Sequence, residues 1–307
     1  MRALVVGYGS IGARHARLLQ EAGYEVHVVT QRTDAPFPTV HSPADISGTA
    51  YELAVIATPT VAHAADFLTV AQNSRIKRIL LEKPVFSAVS HIPDTLPAHA
   101  PERTYVGYNL RFHPVIERAR RLLEGFPLYS ACFYAGQYLP DWRPGADYRC
   151  CYSADAQSGG GVLRDLSHEL DIACFLAGSW QKLASASGKV SALEINSEDV
   201  CSILSVHKRC PHVCIHLNYL DRKKGRFFTI NYQHGTLHGD LANNTLTWNG
   251  GTEYFDCTAD TTYALQLADL LQGGSRVCTF ADGVDVLRMI AATETAARET
   301  RWVKNDL

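Results

Sequence analysis

Three glycines, Gly7, Gly9 and Gly12, stand between a short apolar run (residues 3–6) and an amphipathic stretch (residues 11–22). Gly23 follows where a helix C-cap would lie. Strand, glycine turn and helix, in that order, suit a dinucleotide pyrophosphate. Gly7 permits the tight turn, Gly9 lets backbone approach the phosphates, and Gly12 lets the helix lie close on the strand. Tyr8, Ser10 and Ile11 complete this cofactor-binding turn, and the free N–H groups at the helix start face the negative charge.

Residues 24–30 read as a second strand. A unit that binds NAD usually carries an acidic residue near the end of that strand, where it holds the ribose 2′-hydroxyl. Here the place is held by Thr30, Gln31 and Arg32, and the first carboxylate is Asp34. An arginine suits a 2′-phosphate through planar, charge-assisted contacts. Gln31 and Arg32 are therefore expected at the ribose end. NADP(H) is favoured and NAD(H) stays open.

The elements that must position these residues follow a βα rhythm through the first half. Residues 53–57 form an apolar strand closed by Thr58 and Pro59, and residues 61–73 read as a helix that includes His63. Residues 78–81 form the next strand and run into Glu82, Lys83 and Pro84; residues 105–108 form another, followed by Asn109 and Arg111. In a doubly wound sheet, ligands bind beyond the carboxyl ends of the strands. Thr58, Pro59, His63, Glu82, Lys83 and Asn109 are thus expected along one edge.

The second half has a different texture. Residues 200–208, 213–220, 225–232, 235–241 and 245–248 are short alternating strands, which suggest one largely antiparallel sheet. Residues 263–271 and 282–297 read as amphipathic helices. The expected division is an N-terminal dinucleotide-binding domain at residues 1–115 and an α+β substrate and oligomerisation domain at residues 116–307. Its C-terminal helix, residues 282–298, is expected to return toward the first.

Composition narrows the function. The chain has 307 residues, enough for two domains, and a formal net charge of −2, which gives no basic surface for nucleic acid. No apolar run approaches the roughly 18–20 residues of a membrane helix. A strand begins almost at residue 1, so no signal peptide and a cytoplasmic location are expected. Nine cysteines, an odd number, point to reduced thiols. The run Cys210-Pro-His212-Val-Cys214-Ile-His216 would place two thiols and two imidazoles on one strand face. Four such positions stretch over about 20 Å, too far for one tetrahedral ion, so no metal is expected.

Gly7-x-Gly9-x-x-Gly12, Ala57-Thr-Pro59-x-x-x-His63, Glu82-Lys83-Pro84 and Gly159-Gly-Gly-x-Leu-x-Asp165 together resemble the Gfo/Idh/MocA oxidoreductases. Ala281-Asp-Gly283, the helix after it and Arg301-Trp302-Val303 extend the resemblance to the C-terminal end. It implies an N-terminal Rossmann fold, a doubly wound parallel sheet, plus a C-terminal α+β domain with a largely antiparallel open sheet. That sheet would carry helices on one face and pair with another subunit on the other, giving a homodimer or homotetramer. The resemblance also implies that Lys83 lies beside the nicotinamide and that the bond before Pro84 is cis. More narrowly, Leu139-Pro-Asp-Trp-Arg-Pro-Gly145, Asp147-Tyr-Arg149, Tyr152-Ser153 and Asp165-Leu-Ser-His168-Glu-Leu-Asp171 resemble members linked to bacterial surface-sugar biosynthesis.

The chemistry implied is hydride transfer between a nicotinamide and a hydroxyl or keto carbon of a sugar or sugar nucleotide. Such a transfer needs a group that takes or returns the hydroxyl proton. Lys83 would polarise the oxygen or shuttle that proton, and His168 is the natural general base, since an imidazole titrates near working pH. Read as one opening helical turn, Asp165, His168 and Asp171 are three apart and share a face. The family's common pattern has three residues between the aspartate and the histidine, and this chain has two. Either the helix starts differently, or Asp165 serves the substrate while His168 alone moves protons. Arg111 and Arg143 are expected to bind a carboxylate or phosphate, and Trp142, Tyr148 and Tyr152 to stack on a sugar ring. Two other readings remain open: a hydrolase of the same family that keeps NAD tightly bound, and a non-catalytic cofactor-binding sensor.

Overall fold

The computed structural model describes residues 1–46 and 48–305. The protein is α/β and divides into two compact units. The first is Met1–Asn109 with Asp260–Leu287, and the second is Leu110–Ala259 with Arg288–Leu307. The expected division at residue 115 differs from this in giving residues 110–115 to the first part and residues 260–287 to the second. Those residues join the first unit because Cys278–Thr279 pairs with one of its strands and the helix Thr261–Leu271 packs on its first helix.

The first unit holds β1 (Arg2–Val6), β2 (Glu25–Val29), β3 (Thr39–Val40), β4 (Tyr51–Ile56), β5 (Ile76–Leu81) and β6 (Thr104–Val106). Their spatial order is β3-β2-β1-β4-β5-β6, all parallel, with Cys278–Thr279 antiparallel at the β6 edge. Residues 3–6, 53–56 and 79–81 are buried without alternation, as parallel strands shielded on both faces must be. Helix α1 (Ser10–Glu21) follows β1 and packs back on β1 and β2, and α2 (His63–Gln72) follows β4. One 3₁₀ turn precedes α2, so the helix expected from residue 61 begins at His63. The order reverses between β1 and β4, and the crevice at such a reversal is where open α/β sheets bind ligands.

The second unit is built on β7 (Leu128–Gly136), β8 (Trp180–Gly188), β9 (Val200–His207), β10 (Val213–Asn218), β11 (Gly225–Tyr232), β12 (Gly235–Asp240), β13 (Thr245–Trp248) and β14 (Gly251–Tyr254). They run in the order β14-β13-β12-β11-β7-β10-β9-β8, with Val303–Lys304 closing the β8 edge. All pairs are antiparallel except β7 with β10. β7 and β8 were not expected from the sequence, because their short side chains (Ser130, Ala131, Ala135; Ala184 to Gly188) blur the alternation. Helices α3 (Pro114–Leu122), α4 (Val162–Asp165) and α5 (His168–Ala177) pack on the face formed by Ala131, Phe133, Ile203, Ile215, Phe228 and Leu237. Cys214 and His216 lie on the opposite face, where Tyr134 stacks between His216 and Phe227, with ring centroids 5.4 and 4.7 Å away. Cys210 is buried in the turn before β10. Among the described residues, no helix is long and apolar enough to cross a membrane.

Candidate functional site

In the first unit, the glycine turn joins β1 to α1 at the reversal of strand order. Gly7 has φ +91°, and a Cβ there would lie 2.8 Å from the carbonyl oxygen of Ala57. A Cβ on Gly12 would come within 2.0 Å of the carbonyl oxygen of Gly7, so only glycine lets α1 sit this close to the turn. Gly9 differs: a Cβ there would meet nothing within 4 Å. Gly9 is also the N-cap of α1 and supplies no side-chain cap, so the first-turn amides of the helix face that open space. Tyr8, Ser10 and Ile11 lie in the same turn. An uncapped helix start behind a strained turn, with room in front of Gly9, fits a dinucleotide pyrophosphate.

Three more strand ends share this edge. After β4 come Thr58, whose hydroxyl donates to Asp66 (2.7 Å), and the exposed Pro59. After β6 comes Asn109, buried, with its amide donating to Thr262 Oγ1 (2.7 Å). After β5 comes half-buried Lys83, and the Lys83–Pro84 bond is cis. Two buried imidazoles grip the loop that carries it. His63 Nε2 lies 3.0 Å from the Thr58 carbonyl oxygen, and its Nδ1 lies 3.1 and 3.2 Å from those of Pro84 and Val85. Burial holds the His63 pKa below its ordinary value, against the pull of those carbonyls. On the other side, His15 of α1 donates from Nε2 to Glu82 Oε1 (2.8 Å), while Glu82 Oε2 accepts from the Lys83 amide (3.3 Å). The ring of Tyr263 meets His15 edge-on at 5.4 Å. Glu82 and His63, expected at the cofactor, therefore also hold the Lys83 loop in place.

At the end of β2, Gln31 donates to the His41 carbonyl (2.8 Å). Arg32 forms a bidentate pair with Asp34, Nε to Oδ1 at 2.9 Å and Nη2 to Oδ2 at 2.6 Å. Its guanidinium lies 5.9 Å from the ring centroid of Tyr8.

In the second unit, Asp165 ends α4 and His168 begins α5. Leu166, at φ −98° and ψ 25°, breaks the helix between them, so Asp165, His168 and Asp171 do not form one opening turn as the spacing suggested. Asp165 is buried and accepts from the hydroxyls of Tyr219 (2.6 Å) and Tyr152. Burial and the adjacent carboxylate drive the Tyr219 pKa far upward, so that phenol stays a proton donor. Tyr152 reaches Asp165 because Gly160 packs against its backbone, where a Cβ would lie 2.1 Å from the Tyr152 carbonyl oxygen. The α4 start is capped by Glu198, which accepts from the Leu163 amide (3.1 Å). His168 is half-buried.

Arg111 departs from its expected role as an anion binder. Its fork is taken by Asp171, with Nη2–Oδ1 at 2.6 Å and Nε 3.1 and 3.0 Å from the two oxygens, and both side chains are buried. Its guanidinium also lies 4.8 Å from the Phe175 ring centroid. A carboxylate one helical turn into α5 claimed an arginine that sequence alone left unpartnered. Trp142, Arg143 and Tyr148 instead line a cavity of about 240 Å³ with Leu139, Pro140 and Ser153. Trp142 donates to the Gln137 carbonyl (3.1 Å) and meets Tyr219 edge-on at 5.2 Å, and Arg143 is exposed.

Sequence reasoning did not single out His15, Tyr219 or Glu198. His15 carried a usable signal, since it lies three residues after Gly12 on the buried side of α1. Tyr219 had none, because its partner is 54 residues away in the chain.

No family model matches the chain, and no curated protein does. Solved structures do. GenD2 from gentamicin A biosynthesis, in complex with NAD, aligns with a TM-score of 0.80 at 20% identity, covering 100% of this chain and 97% of the other. Levoglucosan dehydrogenase, in complex with NADH, gives 0.84 at 16% identity, covering 99% and 98%. The WlbA dehydrogenase from Bordetella pertussis, with NADH and UDP-GlcNAcA, gives 0.79 at 16% identity, covering 100% and 98%. At these identities the likeness establishes a shared two-unit fold.

Proposed function

We propose that this chain is a nicotinamide-dinucleotide-dependent oxidoreductase of the Gfo/Idh/MocA type, acting on the CH–OH group of a sugar or sugar nucleotide. The observation that carries the reading is one edge of the parallel sheet. There the glycine turn, the Thr58-Pro59 corner, Lys83 and Asn109 all follow carboxyl ends of strands. Solved structures with this fold include enzymes crystallised with NAD or NADH, one of them with a nucleotide sugar.

When bound, the nicotinamide exchanges a hydride with the carbinol carbon. Lys83, held by the His63 and Glu82 contacts, polarises the substrate oxygen. His168, the first residue of α5, takes or returns the hydroxyl proton. Asp165, its oxygens already accepting from two tyrosines, orients sugar hydroxyls. Trp142, Arg143, Tyr148 and Tyr152 bind the sugar, with Arg143 reading an acidic group. NADP(H) is favoured through Arg32, with NAD(H) accepted. The resemblance of residues 139–153 to surface-sugar enzymes supports a place in surface-glycan biosynthesis. The helix-free face of the nine-stranded sheet, with Leu204, Phe227 and Tyr254, supports a homodimer or homotetramer through that sheet.

Fluorescence titration with NADPH and NADH, followed by a screen of sugars and nucleotide sugars for nicotinamide absorbance change, tests this. Saturable binding to an empty protein and turnover with a sugar are expected. Stoichiometric NAD that resists dialysis, with no net cofactor turnover, would overturn it in favour of the hydrolase reading.

A further inference from the structure

We infer that Asp34 sets the balance between NADP(H) and NAD(H) by competing with the cofactor's 2′-phosphate for Arg32. The inference rests on the dinucleotide reading above. In units of this kind, a carboxylate near the end of the second strand takes a ribose 2′-hydroxyl, and an arginine nearby takes a 2′-phosphate. This chain carries both groups two residues apart, and they are bound to each other. Two guanidinium nitrogens, Nε and Nη2, each donate to a different Asp34 oxygen, the fork-on-fork arrangement an arginine would otherwise offer a phosphate. The pairing raises the Arg32 pKa and lowers that of Asp34, so both stay charged.

The pair does not lie off in solvent away from the nucleotide turn. Arg32 packs over Tyr8, which stands between Gly7 and Gly9, and Phe37 meets the Tyr8 ring edge-on with centroids 6.1 Å apart. The neighbouring polar groups shape the loop itself: Thr30 Oγ1 accepts from the Arg32 amide (3.1 Å), and Gln31 is turned to His41.

The Arg32 and Asp34 side chains are 57% and 66% exposed. An ion pair so exposed holds weakly, so a phosphate dianion can displace Asp34 from the arginine. Asp34 then opposes the phosphate with its own charge. A 2′-hydroxyl meets the opposite situation, a carboxylate already oriented by Arg32 and able to accept its hydrogen bond. The intact pair therefore admits both cofactors and blunts the NADP(H) preference that Arg32 alone would give.

The test titrates the full-length wild type, D34N and R32Q with NADPH and NADH by fluorescence, and with adenosine 2′,5′-bisphosphate and AMP by calorimetry. D34N is expected to bind NADPH and the bisphosphate about 10-fold more tightly, with NADH and AMP unchanged or weaker. R32Q is expected to weaken NADPH and the bisphosphate about 10-fold and to leave NADH within about 3-fold. If D34N leaves the NADPH-to-NADH affinity ratio unchanged, or lowers it, the inference is overturned while the dinucleotide reading stands. If the wild type binds neither nucleotide, the dinucleotide reading fails, and the inference fails with it.

Discussion

The glycine-turn edge of the first unit and the α4–α5 edge of the second are built on different principles. The first is backbone architecture: Gly7 and Gly12 contribute by lacking side chains, and what remains is an uncapped helix start facing open space. The second is side-chain architecture: Asp165 is held by two tyrosines, Asp171 by an arginine, and Glu198 caps the helix that carries Asp165. A backbone site tolerates exchange of most side chains but not one added methyl. A side-chain site tolerates small backbone shifts but loses an ion or hydrogen bond outright when one partner is removed.

The sharpest way to break this contrast is Gly12→Ala. Its Cβ would press on the Gly7 carbonyl, a backbone atom that cannot swing aside, so dinucleotide affinity is expected to fall at least about 100-fold. Titration with NADH beside a thermal melt checks it; unchanged affinity would show that the turn relaxes freely. In the second unit the matching change is Arg111→Ala, which removes from the buried Asp171 carboxylate the guanidinium that pairs with it. The expected loss is about 3–5 kcal/mol of stability by urea unfolding, with dinucleotide affinity retained. A stable Arg111→Ala protein that loses substrate affinity alone would instead restore the anion-binding role.

Acid should also weaken the second unit. Burial pushes the pKa values of His113 and His207 down to about 4 from 6.5. His113 Nδ1 accepts from the Val115 amide at the start of α3, and protonation there would remove that cap. The unfolded chain takes up these protons near pH 6.5 and the native state only near pH 4. Their stability contribution is therefore complete above pH 6.5 and lost as pH falls toward 4, about 3 kcal/mol for each. Urea midpoints measured across that range, in wild type and in His207→Asn, should converge as the pH falls. The smallest change is Tyr219→Phe. It removes one donor to Asp165 and leaves Tyr152, so a loss of about 1–2 kcal/mol is expected from the same unfolding curves.

Legibility followed the same divide. Strands β1, β4 and β5 were readable because buried parallel strands are continuous apolar runs, and the turn after β1 was readable because its three glycines lie close together in the chain. In the second unit β7 was invisible, although it is central to the sheet, because its small and polar residues do not alternate cleanly. The break at Leu166 was equally hidden. Nothing in Asp165-Leu-Ser-His168 forbids a continuous helix, and only a backbone change between two short packed helices separates the aspartate from the histidine.

The sequence by itself determined the order strand, glycine turn, helix and the strand ends that carry Thr58, Lys83 and Asn109, because hydrophobic period and glycine stereochemistry act between near neighbours in the chain. Tertiary structure alone decided that Arg111 faces Asp171, that Tyr219 holds Asp165, and that residues 260–287 belong with the first unit. The two side-chain pairs depend on which groups the fold brings within about 3 Å, and a hydrogen bond or ion pair carries no mark in the sequence until its partner arrives.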